Sequence, residues 1–164
     1  MSDFTHVQIV SCGGTIDKVY FDAKSQYQVG EPQISIIFRR ANVDFKYAIE
    51  SLMRKDSLDM TADDRERVRE YVKHSPHRYF LITHGTDTMP QTACALQGLG
   101  EKTIVLTGSL SPARFEGSDA EFNIGCAVGA LQSVAHGVYI AMNGHVFQGD
   151  RVRKNRAEGR FESI

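Results

Sequence analysis

The feature that most constrains the fold of this chain is an apolar run that ends abruptly in small and polar residues. Phe80, Leu81 and Ile82 stand together, as in a strand that is covered on both faces of a sheet. Polar side chains follow at once, and helix-forming residues begin at Gln91. The pattern predicts a strand that runs into a turn and then into a helix. Ligands of open α/β sheets bind at this edge, where the strands end.

The polar side chains after this strand are Thr83, Thr86, Asp87 and Thr88, and from this stretch alone two interpretations are equally open. A Thr-Asp-Thr run before a helix is a common N-cap arrangement, which satisfies free N–H groups of the helix. Hydroxyl and acidic groups at a strand end also suit a catalytic or binding loop.

A second stretch, from Val7 to Asp17, favours the catalytic or binding interpretation. There a short apolar strand breaks at Gly13 and Gly14, and Thr15 follows. Glycines accept positive φ angles and let the backbone approach a ligand closely. Two strand ends that each present a threonine after glycine therefore predict one site between them.

Strand-like and helix-like segments alternate along the chain, which predicts an α/β fold: a mostly parallel open sheet with helices on both faces. The length of 164 residues suits a single domain. Strands are expected at 5–11, 80–82, 103–107 and 137–142, with an ambiguous strand within 45–53 and a hairpin over 145–152 that turns near Gln148 and Gly149. Helices are expected at 34–41, 61–75 and 91–99, a fourth begins at a capping box of Ser118 and Glu121, and 17–32 is expected to be a long loop.

Composition argues against several classes of function. A net charge of −1 gives no footprint for nucleic-acid binding, and no apolar run approaches the roughly 20 residues of a membrane span. The first residues, 1–6, are short and polar and do not resemble a signal peptide, so the cytoplasm is expected. The three cysteines cannot all pair, and Cys94 and Cys126 are expected in the core. The basic residues Arg151, Arg153, Arg156 and Arg160 are expected to form a solvated segment.

Two motifs give the chain a specific resemblance. Gly13-Gly14-Thr15-Ile16 and His84-Gly85-Thr86-Asp87-Thr88-Met89 resemble the signature motifs of bacterial-type L-asparaginases in residues, order and spacing. The resemblance extends from about Val7 to about Asn155 and includes the segments 56–60 and 119–123. Most members of that family are much longer and carry a C-terminal domain. The chain therefore resembles a short-chain form, a single N-terminal-like catalytic domain over residues 1–164.

The resemblance implies a reaction and the residues for it. Family members hydrolyse the side-chain amide of L-asparagine to L-aspartate and ammonia, and we expect neither a cofactor nor a metal. Thr15 would be the nucleophile, while Thr86, Asp87 and Lys154 would form a second polar triad. Lys154 is the only lysine after Lys102. A hydroxyl is a poor nucleophile without a base, and a desolvated lysine beside it can lower its pKa or accept its proton.

The resemblance also implies how substrate is bound. Ser57 would hold the α-carboxylate and Asp87 the α-ammonium, with Gly14 and Gly85 also in contact with substrate. Without the motifs, Ser57 would be interpreted as a turn residue and Lys154 as a solvated lysine.

The family places an activating tyrosine on a mobile loop after the first motif. Tyr27 matches by local context and Tyr20 is nearer to Thr15, so both remain candidates.

Other functions stay open. One is an ammonia-supplying subunit of an amidotransferase, since one tRNA-dependent family carries a similar domain. Another is a non-catalytic module that binds a nucleotide or an amino acid, although the full glycine-rich phosphate-binding patterns are absent. The expected partners are L-asparagine, L-aspartate and further copies of the chain in a homodimer or homotetramer, because a site at a sheet edge needs a cover. No nucleic acid and no membrane are expected.

Overall fold

A computed structural model describes residues 4–21 and 26–164 of the chain, and the elements below lie in that part. The strands are β1 (His6–Gly13), β2 (Lys18–Phe21), β3 (Gln26–Val29), β4 (Lys46–Lys55), β5 (Tyr79–Thr83), β6 (Thr103–Thr107), β7 (Gly137–Met142), β8 (His145–Gln148), β9 (Val152–Asn155) and β10 (Arg160–Ser163). The α-helices are α1 (Ile34–Arg40), α2 (Ala62–His74), α3 (Met89–Ala95) and α4 (Ala120–Ser133). Short 3-10 helices, Thr15–Asp17 and Ser57–Asp59, follow β1 and β4.

The main sheet has the strand order β4-β1-β5-β6-β7-β8 within the described residues. All neighbouring pairs are parallel except β7 with β8. The strand order turns back on itself around β1, since the chain passes from β1 to β4 on one side and then to β5 on the other. The carboxyl ends of β1, β4 and β5 therefore lie side by side at one edge.

Alternate strand residues enter two hydrophobic cores on opposite faces of the sheet. On one face, strand residues such as Ile82 and Leu106 pack with Val68 and Val72 of α2 and with Leu96 next to α3. On the other face, residues such as Leu81 and Val105 pack with Phe38 of α1 and with Ile124 and Leu131 of α4. The predicted α/β fold, with a mostly parallel sheet and helices on both faces, is confirmed.

Several local predictions are also confirmed. Helix α2 begins after Thr61, whose side chain accepts from the Asp64 N–H while the Asp64 carboxylate accepts from the Thr61 N–H. The ambiguous segment 45–53 is the edge strand β4, and α1 lies where a helix was expected. Helix α3 begins earlier than predicted and ends by Ala95, with Pro90 in its first turn.

The long loop predicted for 17–32 is wrong where the structure describes it. Strands β2 and β3 pair antiparallel in this stretch, and Tyr20 stands opposite Tyr27. Val19, Tyr20 and Phe21 are residues that favour strands. Part of the predicted loop, 22–25, lies outside the described residues.

The hairpin predicted over 145–152 is also wrong. Strand β8 pairs with β7 through a turn at Asn143 and Gly144, whose φ angles are 53° and 76°. Both residues of a tight hairpin turn need positive φ, which Asn-Gly supplies. Strand β9 instead pairs with β10 in a separate hairpin that carries Lys154.

Two smaller predictions need correction. Ser118 and Glu121 do not form a capping box, because Asp119 holds the N-cap position and the Ser118 hydroxyl donates to the Ser111 carbonyl and accepts from the Ala120 N–H. The Asp119 carboxylate accepts from the backbone N–H groups of Leu110 and Ser111 and so ties the segment after β6 to the start of α4. The cysteines also differ from expectation: Cys94 is exposed and Cys126 half-buried, whereas Cys12 is buried, and all three thiols are free. No described helix combines the length and hydropathy needed to cross a bilayer.

Candidate active site

Three loops meet at the edge where β1, β4 and β5 end, and glycine makes the meeting possible. A Cβ atom on Gly14 would lie 2.4 Å from the Gly85 nitrogen, and one on Gly85 would lie 2.7 Å from the Ser57 Cβ. Such distances are far below van der Waals contact, so only glycine fits at these two positions. The loops that carry Thr15, Thr86 and Ser57 are therefore packed against one another through backbone.

Thr15 opens the 3-10 helix that follows the glycine pair. Gly13 and Gly14 have φ angles of 95° and 88°, and the Gly14 N–H donates to the Lys55 carbonyl at 2.9 Å. This bond fixes the turn against the end of β4. Thr15 itself is half-buried, and its hydroxyl has no hydrogen-bond partner among residues 4–21 and 26–164. The hydroxyl is thus held in place by backbone and is not engaged by a neighbour.

Thr86, Asp87 and Lys154 form a compact polar cluster. Lys154 Nζ donates to Thr86 Oγ1 and to Asp87 Oδ1, each at 2.7 Å. The Lys154 side chain is 12% exposed, and Thr86 is buried. Lys154 lies on β9 opposite Phe161 of β10, so the hairpin presents it from outside the main sheet. An ammonium group in this position can stabilise the Thr86 oxygen when the threonine hydroxyl gives up its proton.

Ser57 is fully enclosed at the start of the 3-10 helix after β4. Its Oγ accepts from the Thr88 N–H at 3.3 Å, and its carbonyl accepts from the Thr88 hydroxyl at 2.7 Å. The preceding Asp56 caps the turn by accepting from the Leu58 N–H and pairs with Lys18 of β2 at 3.4 Å. The backbone bond from Leu58 lowers the pKa of Asp56, and Lys18 and Lys154 lower it further. Ser57 thereby joins the loop after β4 to the second motif.

Tyr20 and Tyr27 stand side by side on the β2–β3 hairpin and are both about half exposed. Their ring centroids are 5.5 Å apart, and the Tyr27 ring also meets Phe115 edge-on at 5.5 Å. Neither tyrosine makes a hydrogen bond or ring contact with Thr15, Thr86 or Lys154 within the described residues. Tyr27 lines a cleft of about 630 Å³ together with Lys18, Asp56 and Asp59. The structure brings Thr86, Asp87 and Lys154 together, whereas both tyrosines stand on the exposed β2–β3 hairpin.

A buried histidine supports the second motif and was not singled out from the sequence. His84 Nδ1 lies 2.6 Å from the Gly85 carbonyl and Nε2 lies 2.8 Å from Thr92 Oγ1. Because a carbonyl only accepts, Nδ1 carries the proton and Nε2 accepts from Thr92. Burial lowers the pKa of His84 to about 4, and the nearby Arg65 charge adds to this. The neutral ring fixes the backbone from which Thr86 follows.

Arg65 of α2 extends this network to Thr88, the second threonine of the motif. Its guanidinium donates to Thr88 Oγ1 at 2.9 Å and to Thr92 Oγ1 at 3.2 Å. The separations along the chain are 23 and 27 residues, so no local pattern indicated the contact. The network links α2 to α3 behind the site.

Asp17, at the end of the Thr15 turn, is a second residue that the sequence did not single out. Its carboxylate is buried and accepts from the Ser11 hydroxyl at 3.1 Å and from the Gln33 N–H at 2.8 Å. Its carbonyl accepts from the Gly30 N–H at 2.8 Å. Burial raises the pKa of the carboxyl to about 6. Asp17 thus joins β1 to both ends of the β2–β3 hairpin. Asp17 is the one acidic residue in the stretch from Val7 to Asp17, and this is the sequence signal that could have identified it.

Among the described residues, no three or more histidine, cysteine, aspartate or glutamate side chains are arranged to hold a metal ion. That the site works without metal or cofactor stays a prediction.

The sequence comparisons with known proteins agree on one family. The family model described as asparaginase, N-terminal, matches residues 6–163. The chain is 38% identical over 119 residues to an L-asparaginase of Dirofilaria immitis, a match that covers 66% of this chain and 20% of that protein. It is 32% identical over 135 residues to a subunit of the glutamyl-tRNA(Gln) amidotransferase of Methanococcus maripaludis strain C6, which covers 76% of this chain and 32% of that protein.

The fold comparison agrees. The crystal structure of L-asparaginase I from Vibrio cholerae superposes with a TM-score of 0.80 at 28% identity, covering 97% of this chain and 51% of that one. The chain thus spans about half of that solved structure and a third or less of these two curated relatives.

Proposed function

The chain belongs to the asparaginase family, and from this membership we propose that it is an amidohydrolase that cleaves the side-chain amide of L-asparagine to L-aspartate and ammonia. We propose that residues 1–164 act in this as one catalytic domain. The proposal covers the reaction, the substrate and the residue roles set out below.

Thr15 is proposed as the nucleophile. Its oxygen attacks the amide carbon, the carbon–nitrogen bond breaks, and ammonia leaves after taking a proton. Water then attacks the resulting ester, which releases L-aspartate and restores the threonine hydroxyl. Among the described residues the Thr15 hydroxyl has no hydrogen-bond partner, and its turn is fixed by backbone bonds. This arrangement supports the role, because a positioned reacting group lowers the entropic part of the barrier.

Thr86, Asp87 and Lys154 are proposed to act together on protons at the reacting centre. The observation that carries the proposal is the pair of 2.7 Å bonds from Lys154 Nζ to Thr86 Oγ1 and Asp87 Oδ1. A nearly buried lysine that bonds a buried hydroxyl is rarely explained by surface solvation. A loop cap alone would not need a lysine contributed by a hairpin 68 residues further along the chain.

Substrate is proposed to bind between the three loops. Ser57 contacts the α-carboxylate, Asp87 contacts the α-ammonium, and Gly14 and Gly85 contact the substrate through their backbone. Tyr20 and Tyr27 both remain candidates for an activating tyrosine, because both stand on the hairpin that follows the Thr15 turn.

The direct test is the release of ammonia and L-aspartate in equal amounts when the purified chain is given L-asparagine. The Thr15→Ala variant, purified in the same way, controls for contaminating activity. Equal ammonia release by wild type and variant would refute the proposal. Parallel assays with L-glutamine establish which amide is preferred.

A second candidate is an ammonia-supplying subunit, favoured by the similarity to a subunit of a glutamyl-tRNA(Gln) amidotransferase. Such a subunit would pass ammonia to a partner enzyme. Its amide hydrolysis would rise when that partner and its acceptor RNA are added. Turnover of free L-asparagine that is unchanged by the addition supports the hydrolase.

We also propose a homodimer or homotetramer in the cytoplasm. The Asp87 side chain is 31% exposed at this edge, and a neighbouring copy would cover it. Three free thiols suit a reducing compartment. Light scattering that shows a fully active monomer would refute the assembly, and thiol titration of protein taken directly from cells tests the compartment.

A further inference from the structure

Two cations lie against one carboxylate oxygen at the rim of the site. Asp87 Oδ1 accepts from Lys154 Nζ at 2.7 Å and lies 3.6 Å from Arg156 Nε. The Lys154 side chain is 12% exposed, whereas the Arg156 side chain is 62% exposed. Lys154 therefore faces the interior of the site, and Arg156 stands on its solvent side. The arginines of this basic segment are exposed, as expected, and Arg156 is in addition set beside a carboxylate of the site.

The Arg156 guanidinium has unused donors. At 3.6 Å from Asp87 it is beyond hydrogen-bond distance, and it makes no hydrogen bond to any residue in 4–21 or 26–164. A guanidinium offers five N–H donors in a planar fork that matches the two oxygens of a carboxylate. Asp87 Oδ2 is also without a hydrogen-bond partner in this part of the chain. A free donor pair and a free acceptor therefore stand side by side.

The charges around Asp87 do not balance. Lys154 and Arg156 both face this one carboxylate, while the neighbouring Lys18 and Asp56 pair with each other at 3.4 Å. Asp87 and the two cations that face it together carry one net positive charge. An anionic group bound next to Asp87 would neutralise it.

We propose that Arg156 is a substrate-binding residue that holds the α-carboxylate of an amino-acid amide, while Asp87 Oδ2 takes the α-ammonium. This inference rests on the proposed function of the site. The two charged groups of such a substrate are attached to one carbon, so the residues that bind them must be neighbours, as Arg156 and Asp87 are. Arg156 then selects α-amino-acid amides over simple amides.

The competing explanation is an ordinary exposed ion pair between Arg156 and Asp87. Such pairs contribute little to stability, and their removal leaves ligand binding unaltered. This explanation predicts the same KM for L-asparagine with and without Arg156.

The test compares two substrates that differ only in the α-carboxylate: L-asparagine and 3-aminopropanamide. We expect Arg156→Ala to raise KM for L-asparagine by roughly 10-fold or more, because charge-assisted hydrogen bonds are lost, with kcat within about twofold. The kcat/KM for 3-aminopropanamide should stay within about twofold of wild type. Arg156→Lys, which keeps the charge without the fork, should recover part of the affinity. An unchanged KM, or equal losses with both substrates, would overturn the inference.

Arg153→Ala is the matched control. Arg153 lies on the same hairpin with a side chain 68% exposed, and it pairs with Glu162 at 2.7 Å, away from Asp87. Its removal changes net charge equally and should leave both KM values unchanged. A rise in KM equal to that of Arg156→Ala would assign the effect to general charge and reject the specific role.

Calorimetric binding of L-aspartate separates this inference from the proposed function. If the wild type releases no ammonia yet binds L-aspartate roughly 10-fold more tightly than Arg156→Ala, the hydrolase proposal fails and the Arg156 inference stands. If wild type and variant bind L-aspartate equally, the inference fails whatever the activity. A wild type that neither binds L-aspartate nor releases ammonia refutes both.

Discussion

Gly85 stands so close to Ser57 that a methyl group on Gly85 would lie 2.7 Å from the Ser57 Cβ and 2.8 Å from its Oγ. Gly85→Ala must therefore push the loops after β4 and β5 apart. We expect kcat/KM to fall by about 100-fold, because small misplacements of reacting groups have large effects. The free energy of unfolding should fall by about 1–3 kcal/mol. Steady-state kinetics and thermal unfolding measure the two effects.

Gly125→Ala is the control for this substitution. Gly125 lies inside α4, and nothing lies within 4 Å of an added Cβ. Alanine in a helix interior is more stable than glycine by about 0.5–1 kcal/mol, so this variant should be fully active and slightly more stable. Wild-type kinetics in Gly85→Ala would contradict the close packing of the two loops.

The cluster around Lys154 predicts that its members act as a unit. Thr86→Ala and Lys154→Met should each lower kcat by about 10³, which corresponds to roughly 4 kcal/mol at the barrier. The double variant should lose little more, because residues that act together are not additive. Thr15→Ala should lose as much on its own, and Thr15→Ser should retain some activity. If the threonines merely cap loops, kcat would persist and stability would fall by about 1 kcal/mol. Measuring kcat and the thermal midpoint of each variant distinguishes the two cases.

Asp17 predicts a particular dependence of stability on pH. Burial raises its pKa from 3.8 to about 6, so the folded protein holds this proton more tightly than the unfolded chain. The stabilising contribution is complete below about pH 4 and is lost as the pH rises through about 6. Asparagine keeps the oxygen that accepts from Gln33 and cannot ionise. Asp17→Asn should therefore be more stable than wild type at pH 8 by on the order of 2 kcal/mol, with a much smaller difference at pH 4.

Urea unfolding of both proteins across this pH range measures the difference directly. Other carboxyl groups, including Asp56 and Asp64, have lowered pKa values, but they are present in both proteins and cancel in the comparison. A stability difference that is the same at every pH would show that Asp17 does not titrate in this window.

The buried His84 ring is predicted to be neutral at mildly acidic pH. Burial lowers its pKa from 6.5 to about 4, so its contribution to stability is present above about pH 6.5 and is lost as the pH falls through about 4. Nitrogen-15 NMR of the ring should show the neutral form protonated at Nδ1 at pH 5.5. A signal from the charged ring at that pH would contradict the buried network with Thr92 and Gly85.

Features that depend on neighbours along the chain could be predicted from the sequence. Buried parallel strands are visible in the apolar runs of β5 and β6, and the strand ends with glycine and threonine indicated one shared edge. The α2 capping box is likewise a local pattern. The Asn143-Gly144 dipeptide is also a recognisable signal for a hairpin turn. The predicted hairpin nevertheless took β8 as its first strand, whereas in the structure β8 is the second strand and pairs with β7.

Features that depend on distant partners could not be predicted in this way. Asp17 is an ordinary acid until Gln33 and Ser11 enclose it, and Arg156 is one of several basic residues until the hairpin sets it beside Asp87. The sequence could not decide between Tyr20 and Tyr27 for a similar reason. The hairpin places both on one face, and distance along the chain from Thr15 then says little about distance in space.

The hairpin that carries Lys154 also gives the protein an order of assembly during synthesis. Thr15 follows β1 and Thr86 follows β5, and both are translated well before β9. Lys154 follows Thr86 by 68 residues. A nascent chain stalled before β9 lacks Lys154 and is therefore expected to release no ammonia, although it already contains both threonines. If the proposed amide cleavage is correct, it would begin only once the β9–β10 hairpin has left the ribosome.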